Sequence, residues 1–211
     1  MDAVSGNSTL HQLPATPKTC FWGFFDRSLP PVLRVKSGDI VHVELLTHQA
    51  GDAPDLLMDD GVRAVYEAIT PDQRGPGVHI MTGPVFVDNA LPGDTLEVQI
   101  LGMTPRLQYG SNIAAWWGYL YRDFNKERIT IYNFDMGTRL ARAAFAFDYR
   151  TTPLYNQPGI IIAPDPSSRE LALPEVVIPL RPHVGVMGVG PAEAGKLNSI
   201  PPWRFGGNID N

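Results

Sequence analysis

Cysteine is almost missing from this chain. Cys20 is the one thiol in 211 residues, so no disulfide forms within the chain and a reducing compartment suits it. Long apolar runs are missing too: no stretch approaches the roughly 20 residues needed to span a bilayer as a helix. Met1 to Asn7 carry neither the basic start nor the apolar centre of a secretory signal, so a cytoplasmic location is expected, with no membrane partner. Charge of one sign is also scarce. The net charge of −5 is spread along the chain, and the Lys and Arg side chains form no basic stripe, so nucleic acid is not an expected partner.

What is abundant is glycine and proline, 20 of each, which divide the chain into short elements separated by turns. With 44% hydrophobic and 18% charged residues, the rest has the balance of a chain that buries a core. The expected fold is mainly β: a jelly-roll-like antiparallel β-sandwich with long loops and a short helix. Residues 1–19 read as a flexible N-terminal arm, and 20–211 as a single β-rich domain.

The strand pattern is clearest twice. Val32, Leu33 and Val35 lead to Ser37-Gly38-Asp39 and then Ile40–Leu46; Val85–Val87 lead to Pro92-Gly93-Asp94 and then the alternating Thr95–Ile100. Each reads as a hairpin whose aspartate bonds its own turn. Between them, Leu56, Leu57, Val62, Val65, Tyr66 and Ile69 keep a helical spacing, interrupted at Gly61 and stopped by Pro71. Further strands are expected at 128–133, 143–149, 159–163, 175–180 and 184–189.

The side chains that could do chemistry are few. His11 and His42 read as solvated, and His48 as a loop rim. His79 leaves the glycine-rich Gly75-Pro76-Gly77 turn where a strand begins, and His183 precedes Gly185, Gly188 and Gly190. For each, a satisfied structural imidazole is the ordinary reading and catalysis the sharper one. There is no His-Glu-x-x-His, no Cys-x-x-Cys and no Gly-x-Ser-x-Gly elbow. Trp116 and Trp117 read as core, with a sugar-stacking platform as the weaker alternative. The terminal Gly206-Gly207-Asn208-Ile209-Asp210 stands out: two glycines form a tight turn that presents a carboxylate.

Taken together, these motifs resemble a family. Trp22-Gly23-Phe24-Phe25-Asp26, Pro31 to Asp39, Thr82-Gly83-Pro84-Val85-Phe86-Val87, Pro92 to Val98, Gly185 to Val189 and Gly206 to Asp210 are similar, in that order, to landmarks of the acetamidase/formamidase family. The resemblance implies hydrolysis of the C–N bond of small linear amides, a divalent metal such as zinc, and a β-sandwich fold. It implies catalytic roles for Asp210, His183 and His79. Asn208, Gly206 and Gly207 would bind substrate, with Asp210 and His79 as metal ligands. Family members are longer and continue past this terminal motif to further histidine and acidic motifs. The expected alternatives are therefore a non-catalytic truncated remnant or a half-enzyme needing a complementary polypeptide. A homo-oligomer is a further expectation.

Overall fold

In a computed structural model of the protein, the described residues are 8–115, 119–120, 122–124, 126–149 and 159–208. They form a mainly β structure whose strands, in chain order, are β1 (Leu10–Leu13), β2 (Cys20–Trp22), β3 (Phe24–Phe25), β4 (Leu33–Val35), β5 (Ile40–Val43), β6 (Ile80–Thr82), β7 (Val85–Val87), β8 (Tyr109–Ala114), β9 (Glu127–Asp135), β10 (Leu140–Tyr149), β11 (Ile178–Pro179), β12 (Val186–Gly188), β13 (Leu197–Asn198) and β14 (Gly206–Asn208). Two α-helices, α1 (Pro54–Leu57) and α2 (Asp60–Ala68), fall between β5 and β6. Among the described residues, no helix is long and apolar enough to cross a membrane. The chain clusters into two compact units, one of residues 1–46, 64–103 and 184–211, the other of 47–63 and 104–183.

The first unit is built from two-stranded ladders. β2 pairs with β6, β3 with β13 and β12 with β14, all antiparallel; β1 pairs with β5 and β4 with β7, both parallel. The two expected hairpins are therefore absent. β4 and β5 flank the Ser37-Gly38-Asp39 turn but each pairs elsewhere, and Thr95–Ile100 pairs with no strand among the described residues. Local alternation marks an extended segment and cannot say which distant strand completes it. Asp39 is more than a turn residue. It accepts from the backbone N–H of Lys36 and Thr9 and pairs with His11 Nε2 at 3.0 Å, joining the start of β1 to the start of β5. The Lys36 and Thr9 N–H groups, then His11, hold its carboxyl down at about 2. Residues 10–13, read from sequence as part of an arm, thus form a paired strand.

The centre of this unit is Trp22, fully buried, with Tyr66 meeting it edge-on at 4.9 Å and the Arg74 guanidinium 3.8 Å over its ring. Its indole N–H donates to Val78 O at 2.7 Å. The helical spacing holds as well, since Val62, Val65, Tyr66 and Ile69 are all buried. The helix break lies just before Gly61, at Met58 and Asp59. Met58 follows the first piece, and Asp59 caps the second by accepting the Val62 N–H at 2.8 Å.

The second unit carries a four-stranded antiparallel sheet in the order β11-β10-β9-β8. Ile129 and Ile131 face inward on β9, while Arg128 and Thr130 alternate outward. On β10 a bulge between Ala143 and Phe145 shifts the inward set from Ala141 to Ala146. β10 begins before the expected 143–149 because Leu140, Ala141 and Arg142 also pair, opposite Asp135, Phe134 and Asn133. The segment 159–163 forms no strand, and of 175–180 only Ile178–Pro179 joins the sheet.

Packed into this unit is a short 3-10 turn, Ala50–Asp52, whose three residues are all buried. Asp52 is 7% exposed and accepts a hydrogen bond from Ser111 Oγ on β8. Burial raises its carboxyl from 3.8 to about 6, with the Ser111 bond pulling the other way. The folded chain therefore holds the Asp52 proton more tightly than the unfolded chain. Between about pH 4 and pH 6 the folded form binds more protons, so this group's contribution falls as pH rises, by on the order of 3 kcal/mol in all.

Two outcomes are expected. Trp22→Ala removes the central ring and leaves the Val78 carbonyl unpaired, costing about 3–5 kcal/mol in urea unfolding. Asp52→Asn removes the buried charge, so its stability relative to the parent should improve by on the order of 3 kcal/mol between about pH 4 and pH 8. A pH-independent difference would mean that Asp52 does not titrate in this window.

Candidate functional site

Of the residues expected to act, His79 has the most defined setting. The backbone of Gly23 holds it from one side, its N–H donating to His79 O at 2.8 Å. The Gly23 carbonyl in turn receives the N–H groups of Gly77, at 2.7 Å, and Ser199, at 3.2 Å. Three segments thereby meet around one peptide. A side chain at position 77 would collide with Ser199 Oγ, so glycine is needed there for close packing. Ser199 is fully buried, and its Oγ lies 3.1 Å from His79 Nδ1 and 3.4 Å from the His79 N–H. This histidine–serine pair fixes the imidazole ring. Nothing in the sequence around Ser199 marks it, because its partner lies 120 residues away.

Gly206, Gly207 and Asn208 form β14 in the same unit, opposite Gly188, Met187 and Val186. Both glycines take positive φ, +111° and +128°. A Cβ at Gly206 would strike Met187 O, and one at Gly207 would lie 2.5 Å from Pro201 O. The Gly206 N–H donates to Trp203 O, and the Trp203 N–H returns to Gly206 O at 2.7 Å. The two glycines thus allow a crowded crossing of three strands of backbone, with Trp203 stacked on Phe205 at 5.7 Å beside it. Asn208 is half-buried at the end of the ladder. His183 is exposed and belongs to the other unit. Asp210, Trp116 and Trp117 lie outside the described residues.

A second arrangement, in the four-stranded-sheet unit, was not foreseen. A cavity of about 540 Å³ is lined by Asp52, Phe147, Asp148, Ile162, Pro164, Asp165, Arg169 and Glu170, among others. Most of its charges are already matched. Arg128 bonds Asp148 at 2.8 Å and Glu170 at 3.1 Å; Lys126 adds a contact to Asp148. Arg169 Nη2 reaches both oxygens of Asp55 at 2.8 Å, and its guanidinium lies 4.2 Å over Phe145. The Ser167 hydroxyl and N–H hold Asp165 below the usual carboxylate range, and Arg128 does the same for Asp148. Asp52 differs in being buried with a single hydroxyl partner, and burial pushes its proton affinity up to where a carboxyl can both take and give a proton near neutrality. Nothing in the sequence around Asp52 singles it out, because its partner Ser111 lies 59 residues away.

Among the described residues, no group of three or more His, Cys, Asp or Glu side chains comes together to hold a metal ion. His79, expected as a ligand, turns Nδ1 to a serine hydroxyl.

A sequence model of the acetamidase/formamidase family matches residues 14–199. No curated protein matches the chain. Among solved structures, a recombinant predicted acetamidase/formamidase from the thermophile Thermoanaerobacter tengcongensis shares the fold, with a TM-score of 0.55 at 20% identity over 96% of this chain and 52% of that one. The chain thus spans about half the length of that relative. Resting on the match across 14–199, the conclusion is that this chain belongs to the acetamidase/formamidase family.

Proposed function

We propose that the chain hydrolyses the C–N bond of small linear amides of the formamide and acetamide kind, releasing ammonia and a carboxylate. The observation that carries this reading is the family match over residues 14–199. Amide hydrolysis needs a base to activate water, donors for the developing oxyanion and a proton for the leaving nitrogen. In this proposal Asp210 takes the proton of the attacking water, and His79, fixed by Ser199, returns one to the nitrogen. His183 is the alternative imidazole. Asn208, carried by the Gly206–Gly207 crossing, orients the substrate oxygen. The family resemblance also implies a divalent metal such as zinc on Asp210 and His79. Asp210 lies outside the described residues, so of this pair only the His79 setting is seen, and the proton steps are assigned to the chain's own groups. The cytoplasm is the proposed location.

A second reading has its own support. Leu91, Leu96, Val98, Ile100 and Leu101 are all exposed, and Thr95–Ile100 alternates in sequence like a strand without a ladder partner among the described residues. Gln99 bonds Glu97 at 2.8 Å, so alternate side chains share a face as in a strand. A bare apolar strand edge invites pairing with another polypeptide. In this reading the exposed segment pairs with a second copy of the chain, giving a homo-oligomer.

Ammonia release from formamide and acetamide, measured with and without added zinc, tests the first reading. Asp210→Ala and His79→Asn should each lower kcat about 100-fold or more. Full turnover in either variant removes that residue from the mechanism, and unchanged metal content in Asp210→Ala removes it as a ligand. The second reading predicts that the parent chain self-associates in analytical ultracentrifugation. Leu96→Lys with Val98→Lys should return it to one monomeric species, whereas a monomeric parent would argue against an open edge.

A further inference from the structure

The cavity in the four-stranded-sheet unit has a composition that the reading above leaves unused. We propose that it binds a primary amide, with Asp52 accepting from the amide nitrogen, Arg169 donating to the carbonyl oxygen, and Phe147, Ile162 and Pro164 receiving the acyl group. The substrate class rests on the amidase reading; the position rests on this unit alone.

The cavity brings together complementary groups. Asp52 is 7% exposed, and one of its oxygens is held by Ser111 Oγ. Among the described residues the remaining acceptor capacity of this carboxylate meets no cation, whereas the carboxylates of Asp148 and Glu170 are matched by Arg128. An amide nitrogen offers two N–H donors and no charge, which satisfies such an acceptor without the desolvation cost of a second ion. Arg169 brings a planar set of N–H donors, fixed in place by Asp55 and by the face of Phe145. The buried Phe147 and half-buried Ile162 offer apolar contact to a short hydrocarbon tail. At about 540 Å³ the volume lies within the range of small-molecule pockets, roughly 300–1,000 Å³, and far exceeds what acetamide fills. An amide with a longer acyl chain is the better fit. A carboxylate of the same shape would face the acidic lining with no N–H to offer.

The test uses the whole chain and four probes: butyramide, acetamide, butyrate and butylammonium, titrated by NMR chemical shift, with ammonia release measured separately. The expected order is butyramide ahead of acetamide, with butyrate excluded. Asp52→Asn should weaken butyramide about tenfold or more, the loss of a hydrogen bond to a charged acceptor, and admit butyrate. Ile162→Asn should erase the preference for butyramide over acetamide. Butylammonium binding more tightly than butyramide would overturn the proposal in favour of a cation site. Butyramide affinity unchanged in Asp52→Asn would also overturn it, even if the chain releases ammonia and the amidase reading stands. Butyramide binding that depends on Asp52, without ammonia release, would uphold the pocket and count against the amidase reading.

Discussion

The first unit hangs on one peptide, Trp22–Gly23. The Trp22 carbonyl accepts from Gly75 and the Gly23 carbonyl from Gly77 and Ser199, while the indole N–H of Trp22 closes onto Val78. Such crowding is possible only where neighbouring residues lack side chains. Gly23 itself has φ +85°, and a Cβ there would lie 2.5 Å from Gly77 O. Packing therefore comes first, and the placement of His79 follows from it. The ladders β2–β6 and β3–β13 meet at this point, so Ser199 arrives beside the imidazole as a result of strand pairing. A histidine positioned this way keeps its orientation without help from its own loop.

The glycines of the terminal motif obey the same logic. Gly-Gly at 206 and 207 reads in sequence as a tight turn that presents a carboxylate. In the fold, each glycine is needed because backbone of another segment occupies the place of its Cβ. A structural demand of this kind is compatible with a neighbouring Asn208 that acts on substrate, since rigid backbone is what gives a side chain a fixed aim.

Much of the strand content was legible because alternation is local. Ile129 and Ile131, Val85–Val87 and the helical set from Val62 to Ile69 announced their elements. The pairings were not legible. β1 with β5 and β4 with β7 are parallel contacts between segments separated by others, and no short-range signal distinguishes them from the hairpins that the Gly-Asp turns imply. Thr95–Ile100 shows the limit most clearly, having the pattern of a strand without a partner among the described residues to make it one. The candidate site divides in the same way. His79 was visible from its glycine-rich approach, whereas Ser199 and Asp52 gain their character from residues far along the chain.

Asp52 and Asp39 show how environment sorts identical side chains. Asp39 meets two N–H donors and a histidine, which stabilise its charge and strengthen the junction of β1 with β5. Asp52 meets one hydroxyl in a buried setting, and its charge is a liability to the fold. An asparagine would keep an acceptor for the Ser111 hydroxyl without the buried charge, so above about pH 6 stability gives no reason for the carboxyl. Groups that cost stability yet line a cavity are where chemistry is to be sought. The family motifs direct attention to the glycine-rich terminal strand. The energetics direct it to the 3-10 turn before α1, where the buried cavity carboxyl, Asp52, stands.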